Sequence, residues 1–143
     1  MTARPRPSHI APVVLVVGAL LAAGCTTSRT SGNSASTFRG DQKLAAQTIE
    51  DLQSAASSRD DARICRDLLT RALASRLTRA GRDCASTVDE AVRDADSVDM
   101  TVLSVRVTGD RATARVRFET GKSDRTATLQ LQREAGRWRV AGF

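Results

Sequence analysis

Tyrosine is absent from this chain of 143 residues, and histidine occurs once, as His9. His9 lies in the amino-terminal segment, before the part of the sequence that shows the periodic patterns of a folded domain. That part therefore has no imidazole. A serine–histidine or cysteine–histidine nucleophile system is excluded there, and so is a metal site that depends on histidine ligands.

Aromatic side chains make up 3% of the residues, and the basic residues are interspersed with acidic ones. A nucleic-acid surface needs clustered positive charge and usually aromatic platforms on which bases stack. The composition therefore argues against a nucleic-acid partner. Lysine supplies only Lys43 and Lys122 of the 22 basic residues. This preference for arginine, together with abundant alanine, indicates a GC-rich, actinobacterial genome.

No apolar run is long enough to cross a bilayer, which takes about 20 residues. The most apolar stretch, residues 10–21, is shorter than that and contains Pro12. Arg4 and Arg6 precede it, and the small residues Ala-Ala-Gly follow it at 22–24. A positive segment, a short apolar segment and small residues in this order are typical of a signal peptide.

The end of this segment resembles the lipobox of bacterial lipoproteins. Residues 20–25 read Leu-Leu-Ala-Ala-Gly-Cys, with Ala22 at the place where that family prefers leucine. The resemblance implies that residues 1–24 are removed and that Cys25 carries a diacylglyceryl group. Because two or more acyl chains anchor a protein stably, we expect the chain at the extracytoplasmic face of the cell membrane. The alternatives are a plain secretory signal with an incidental cysteine, and an uncleaved anchor.

Residues 25–40 are rich in Ser, Thr, Gly and Asn and show no periodic apolar face. Such a segment cannot bury enough apolar surface to offset the entropy that it loses on ordering. We therefore expect a flexible tether over residues 25–40, followed by one domain over residues 41–143.

Apolar residues in this domain first recur at helical spacing and then alternate. The predicted helices cover residues 41–57, 60–77 and 83–95, and the predicted strands cover residues 102–107, 112–118, 127–132 and 137–143. The strand residues expected to face the helices are Leu103, Val105, Val107, Ala112, Ala114, Val116, Phe118, Leu129, Leu131, Trp138 and Val140. The pattern predicts an α+β fold, with about three helices packed on a curved four-stranded antiparallel sheet.

This order of elements, closing on Gly-Arg-Trp-Arg-Val-Ala-Gly-Phe at residues 136–143, resembles the nuclear-transport-factor-2-like superfamily in its extracytoplasmic branch. Members of that branch often carry a cysteine early in the second helix and another further on, as Cys65 and Cys84 stand here. The resemblance spans residues 42–143. It implies a cone in which the sheet curls around the helices, and the open end of the cone hosts a pocket in some members and none in others.

Cys65 and Cys84 remain as a pair once Cys25 is lipidated. An exported domain folds in an oxidising compartment, where an even pair of cysteines usually forms a disulfide. A metal pair or a redox couple lacks the histidines or the Cys-x-x-Cys spacing that such sites use. We therefore expect a disulfide that joins the second helix to the third, and we expect no metal and no cofactor.

Aspartate is the catalytic group most relevant to an enzyme of this superfamily, whose cyclase-like and isomerase members use an Asp, His or Tyr inside the cone. No acidic residue falls on the inward register of a predicted strand. The acidic residues are assigned most simply to helix caps, an exposed helix face and a solvated connector: Asp60, Asp61, Asp89, Glu90, Asp94, Asp96 and Asp99. We expect no enzyme, the alternative being a connector carboxylate that reaches the cone.

The outward register of the strands carries the basic residues Arg106, Arg115, Arg117 and Arg139, beside Gln130 and Gln132. They form either a solvated face that opposes aggregation or a docking face for lipid headgroups or an acidic protein. Related sheets also pair as homodimers, which facing arginines oppose unless acidic residues pair with them. Trp138 is expected in the core, the alternative being the mouth of a pocket.

These observations favour a membrane-anchored, non-enzymatic accessory or binding module that presents its domain to an envelope protein or to a small apolar ligand. The first alternative is a cyclase- or isomerase-type enzyme that uses an Asp in the cone. The second is an inhibitory or scaffolding subunit of an envelope complex. An open cone favours a ligand, and a solidly filled one favours surface interaction.

Replacement of the lipobox cysteine tests the predicted anchor. Because the thiol of Cys25 is the acyl acceptor that the resemblance implies, Cys25→Ala should abolish labelling with radioactive palmitate and change the size of the membrane-retained form. Ser31→Ala, a change of similar size in the predicted tether, should leave both unaffected. Unchanged label, size and membrane retention in Cys25→Ala would show that the assigned location is wrong.

Overall fold

The computed structural model describes residues 34–78, 81–93, 99–120 and 123–143. The elements in chain order are a 3-10 helix at Ser34–Thr37, α1 at Gly40–Ser57, α2 at Asp61–Arg63, a π-helical turn at Ile64–Leu68, α3 at Arg71–Thr78, α4 at Cys84–Arg93, β1 at Asp99–Thr108, β2 at Arg111–Thr120, β3 at Ser123–Glu134 and β4 at Arg137–Gly142. The predicted α+β class is confirmed. The predicted signal peptide and Cys25 lie outside the described residues, within which no helix has the length and hydropathy needed to cross a membrane.

The strands are neighbours in chain order, β1-β2-β3-β4, and all their pairings are antiparallel. Alternation along each strand separates an inner face, packed against the helices, from an outer face. Buried side chains of the inner face include Val105, Ala112, Ala114, Val116, Leu129, Leu131 and Val140. The β3–β4 turn passes through Ala135 and Gly136, whose φ angles of 49° and 77° suit the tight hairpin turn that is compatible with the twist of the strands.

One predicted core residue of β1 lies on the wrong side of the sheet. The register between β1 and β2 shifts between Val102 and Ser104, which inserts an extra residue into β1. Because of this bulge, Val102 and Val105 both point inward, although they are three places apart, and both are buried. Leu103 is 38% exposed, so its predicted inward position was wrong.

Helix α1 supplies hydrogen bonds to the free edge of β1. The side-chain amide of Gln42 donates to the carbonyl of Val105 at 3.0 Å. The side-chain oxygen of Gln53 accepts from the backbone N–H of Met100, also at 3.0 Å. An edge strand otherwise exposes a row of unpaired backbone groups, so these two glutamines orient α1 and satisfy two of the backbone groups along this edge.

The opposite edge, β4, is bonded by α1 and by the chain around Leu69. The hydroxyl of Thr48 on α1 lies 3.1 Å from the carbonyl oxygen of Leu44 in its own helix and 3.3 Å from that of Trp138, and it can donate to either. Leu69 forms a parallel bridge with Val140, and the N–H of Thr70 donates to the carbonyl of Val140 at 2.8 Å. Helix α1 therefore reaches both edges of the sheet, which curls around it.

The pairing with β4 also explains why the predicted second helix, residues 60–77, is interrupted. Leu69 has extended backbone angles, φ −92° and ψ 151°, and α3 begins only at Arg71. Hydrophobic periodicity continues across this break, so the sequence pattern alone predicted one helix. The backbone groups at the outer edge of β4 require hydrogen-bond partners. Leu69 and Thr70 provide them only in an extended conformation, so the helix that the local pattern favours is interrupted here.

The folded domain begins earlier than residue 41. Residues 34–37, assigned to the tether by the sequence, form a 3-10 helix in which Ala35 is 2% exposed. The hydroxyl of Ser34 accepts from the N–H of Val102 at 3.1 Å, and Glu50 accepts from the N–H of Ala35 at 2.7 Å. Residues 34–40 are therefore part of the domain, and residues 25–33 of the predicted tether lie outside the described residues.

The two cysteines of the domain are joined by a disulfide. The sulfur atoms of Cys65 and Cys84 are 2.04 Å apart, and the Cα atoms are 6.0 Å apart. The bridge ties the first residue of α4 to the π-helical turn, as the sequence predicted. Asp83 caps α4, because its carboxylate accepts from the N–H and the hydroxyl of Ser86, each at 2.9 Å. The hydrogen bond from the backbone N–H of Ser86 has the largest effect on this carboxylate, and the bond from the hydroxyl of Ser86 adds to it. Together they hold the pKa of Asp83 below its usual value.

Removal of the disulfide should strongly destabilise the domain. The bridge closes a loop across a separation of 19 residues, for which chain entropy predicts a loss of about 3 kcal/mol in the free energy of unfolding. The double variant Cys65→Ser/Cys84→Ser of residues 26–143 should show this loss in urea denaturation. The reduced wild-type protein should show a similar decrease in its urea midpoint. An unchanged midpoint in both the double variant and the reduced wild type would contradict a structural role for the disulfide.

Candidate functional site

An apolar cavity lies between the inner face of the sheet and the helices, at the end of the sheet near the β2–β3 turn. Its volume is about 360 Å³, and we call it the inner cavity. It is lined by Leu52, Ala56, Ile64, Leu69, Leu77, Thr87, Val88, Ala91, Val92, Met100, Phe118, Arg125 and Phe143. All of these side chains are aliphatic or aromatic except Thr87 and Arg125. The open end of the cone is therefore a pocket and not a filled core.

Helix α4 forms the wall of the inner cavity opposite the sheet. Val88, Ala91 and Val92 recur at the three- and four-residue spacing that places them on one side of the helix. The disulfide at Cys84 and the cap at Asp83 hold the beginning of this helix. The width of the cavity therefore depends on a wall that is tied covalently to the rest of the helices.

The acidic residues that the sequence analysis considered have structural partners at several positions. Asp60 accepts from the N–H of Arg63 as a helix cap at 3.1 Å, and Asp99 accepts from Gln53 at 3.2 Å. Asp89 pairs with Arg93 and Glu90 pairs with Arg82. Within the described ranges, no acidic side chain lines the inner cavity. Asp94 and Asp96, the connector residues, lie outside the described residues.

The predicted basic face is present in part on the outer side of the sheet. Arg106, Arg115 and Arg117 are exposed there. Arg115 lies opposite Ser104 on one neighbouring strand and opposite Thr128 on the other. Arg117 lies 3.9 Å from Glu119 on its own strand, which offsets part of its charge.

Arg139 does not belong to this face, which corrects the prediction. It is 9% exposed, and its guanidinium donates to the carbonyls of Arg66 at 2.6 Å and Leu69 at 3.2 Å. These carbonyls lie at the end of the π-helical turn, where backbone acceptors have no partner inside the helix and the helix dipole favours a cation. Its Nε also lies 3.9 Å from Glu134. Arg139 is therefore a structural residue that fastens the turn to β4.

A polar groove, which the sequence analysis missed, adjoins the outer face where α3 passes the edge of the sheet. It has a volume of about 550 Å³, and its lining includes Thr70, Arg76, Arg111, Thr113, Gln130 and Gln132. Arg76 donates to the carbonyl of Ala141 at 2.8 Å, which fixes α3 beside β4. The groove depends on this placement of α3, which no local pattern in the sequence indicates.

Trp138 is buried, at 5% exposure, where the sequence predicted a core residue. The guanidinium carbon of Arg133 lies 4.7 Å from the centre of a Trp138 ring. Arg133 also forms ion pairs with Asp41 on α1 at 2.8 Å and with Asp110 in the β1–β2 turn at 3.6 Å. This cluster closes the end of the cone opposite the inner cavity.

Two arginine substitutions test whether Arg139 is a buried structural residue, unlike Arg115 on the exposed outer face. Arg139→Met leaves the carbonyls of Arg66 and Leu69 without their donors and should lower the free energy of unfolding by about 2 kcal/mol. Arg115→Met, the matched change on the outer face, should stay within about 0.5 kcal/mol of wild type. Urea denaturation monitored by Trp138 fluorescence measures both, and equal losses would refute the assignment of Arg139.

No protein-family model matches the chain, and no curated protein matches it at a significant level. The solution structure of a SEC-C motif containing protein from Rhodopseudomonas palustris is similar, with 19% identity, a TM-score of 0.47, and coverage of 66% of this chain and 72% of that one.

Two further similar structures carry the NTF2 name, that of nuclear transport factor 2. One is an NTF2 variant with 15% identity, a TM-score of 0.45, and coverage of 67% of this chain and 90% of that one. The other is a de novo designed NTF2-fold protein with 15% identity, a TM-score of 0.42, and coverage of 71% and 81% respectively. Both bear the name of the superfamily that the sequence resembles, and likenesses of this degree carry no inference about function.

Proposed function

We propose that this chain is a lipid-anchored extracytoplasmic binding module of the nuclear-transport-factor-2-like kind, which holds a small apolar ligand in the inner cavity. The observation that carries the proposal is the cavity itself. Small-molecule sites are typically concave, mostly apolar and about 300–1,000 Å³ in volume, with a few polar groups that fix the orientation of the ligand. The inner cavity has this size and this lining.

The small residues of the cavity walls support a ligand rather than a collapsed core. Ala56 on α1 and Ala91 on α4 line the cavity, where larger aliphatic side chains would fill it. The inner cavity is open to solvent on one side, where Ala91 and Phe143 are exposed, so its apolar lining contacts water when no ligand is bound. A bound apolar molecule would remove this lining from water, and this burial is the driving force that we assign to binding.

The entry point of the predicted tether supports a ligand taken from the membrane. The described chain begins at Ser34, which bonds to Val102, and Met100 on the same strand lines the inner cavity. A flexible segment of residues 25–33 would reach roughly 15 Å. Lipid on Cys25 would therefore hold the cavity end of β1 close to the bilayer surface.

Binding without catalysis fits the residues of the cavity better than the enzymatic alternative does. A cyclase- or isomerase-type reaction needs a group that accepts or donates a proton at the substrate. The described part of the lining contributes the hydroxyl of Thr87 and the guanidinium of Arg125 as its polar groups, and neither is the Asp, His or Tyr that such enzymes use. The envelope protein partner and the homodimer through the sheet stay predictions, which the exposed arginines of the outer face neither require nor exclude.

Filling the cavity tests the proposal. Residues 26–143, which contain every described residue, should increase the fluorescence of the neutral apolar probe N-phenyl-1-naphthylamine. Ala91→Phe places a large side chain on the cavity wall and should weaken binding of the probe at least about tenfold, because the apolar contacts of the ligand are lost.

Ala62→Phe is the matched control, since Ala62 is an exposed helical alanine outside the cavity. Circular dichroism and thermal melting should show that both variants fold. Absence of probe binding to the wild type, or equal weakening by both variants, would contradict a ligand site in the inner cavity.

A further inference from the structure

Among the residues that the structure describes, Arg125 is the one cation that lines the inner cavity, and it occupies a register position that its neighbours on β3 fill with apolar side chains. Inward positions alternate along β3 through Arg125, Ala127, Leu129 and Leu131. Leu129 and Leu131 are buried, and Arg125 is exposed at the end of the row. Strand β3 therefore runs from the buried core to the open end of the inner cavity, where Arg125 carries a positive charge.

Arg125 contributes to the mostly apolar lining of the inner cavity and is also exposed to solvent. Arg125 is directly opposite Phe118 on β2, and its guanidinium carbon lies 5.9 Å from the centre of the Phe118 ring. Long basic side chains commonly bury their methylene groups in this way and keep the charge in water. The guanidinium therefore lies beside the Phe118 ring in the lining of the cavity.

The charge of Arg125 is not committed to an ion pair within the domain. None of the carboxylates among the described residues forms an ion pair with it, whereas the salt bridges of Arg63, Arg82, Arg93 and Arg133 show how commonly arginines here are paired. Its neighbour Asp124 belongs to the opposite face, because the alternation places adjacent residues on opposite sides of the sheet. The guanidinium donors therefore remain available to a ligand.

We propose that the inner cavity binds a single-chain amphiphile, whose apolar chain enters the cavity and whose anionic head group, a carboxylate or a phosphate, pairs with Arg125. This inference rests on the proposed function and adds the chemical class of the ligand. An apolar wall satisfies the chain, and the planar fork of a guanidinium matches both kinds of anionic oxygen. A fully apolar ligand leaves Arg125 without a role in binding.

The shape of the site favours one chain over a bulkier lipid. Walls on α1, α4 and the sheet enclose about 360 Å³, which lies near the lower end of the range for small-molecule sites. The guanidinium of Arg125, the one cation among the described lining residues, suits one anionic head. The ligand enters with its chain toward Ile64 and Leu69 and its head beside Phe118 and Arg125.

The test compares three ligands with the same chain and different heads. Dodecanoate, dodecyl phosphate and neutral dodecan-1-ol are each titrated against N-phenyl-1-naphthylamine bound to residues 26–143, whose folding is checked by circular dichroism. We expect at least one anion to bind about tenfold more tightly than the alcohol, as a charge-assisted hydrogen bond at a partly hydrated mouth provides. The tighter of the two anions identifies the head group as a carboxylate or a phosphate.

Arg125→Gln should remove this preference and leave the affinity for dodecan-1-ol within about twofold, since the uncharged amide cannot form the charge-assisted pair. Arg117→Gln is the matched control, because Arg117 lies on the outer face of the same hairpin and carries the same charge. It should keep the preference, which excludes a general effect of net charge.

The outcomes separate the two proposals. If dodecan-1-ol displaces the probe and neither anion binds more tightly, or if Arg125→Gln keeps the preference, the role of Arg125 is refuted and the apolar site stands. If neither the probe nor any of the three ligands binds, the proposed function fails, and the inference about the head group fails with it.

Discussion

The attachment of α1 to both edges of the sheet is the constraint on which the rest of the structure depends. Glutamine side chains of this helix bond to β1, and the hydroxyl of Thr48 reaches β4. A helix fixed at both sides of a four-stranded sheet forces the sheet to curve around it. The space that α1 leaves uncovered, at one end of the curved sheet, is bounded by α3 and α4 and becomes the inner cavity.

Much of the fold follows from short-range pattern, and the exceptions arise where distant groups compete with it. The change from helical to alternating periodicity near residue 100, the hairpin turn at Gly136 and the cysteine pair are all readable locally. The interruption at Leu69 and the buried position of Arg139 are not, because both depend on the backbone needs of β4 and its neighbours. The bulge that exposes Leu103 likewise has no signal in a run of apolar residues.

The candidate site was less predictable than the fold, and Arg125 shows why. The alternation that is evident from Ala127 onward predicted a strand start at residue 127, whereas β3 begins at Ser123. Extending the alternation back by two residues places Arg125 on the inner face, so a signal existed. The cavity itself had none, since its walls come from α1, α4 and three strands, whose relative placement no single segment determines.

Under the proposed lipid anchoring, the hydrogen bonds made to both edges of the sheet have a consequence for crowding at the membrane surface. Proteins confined to a plane meet one another far more often than proteins free in a volume, and an open strand edge invites each encounter to extend one sheet into the next. Here glutamine amides occupy one margin, and the backbone of Leu69–Thr70 with Arg76 occupies the other. Dense packing of such domains can therefore occur without their sheets joining.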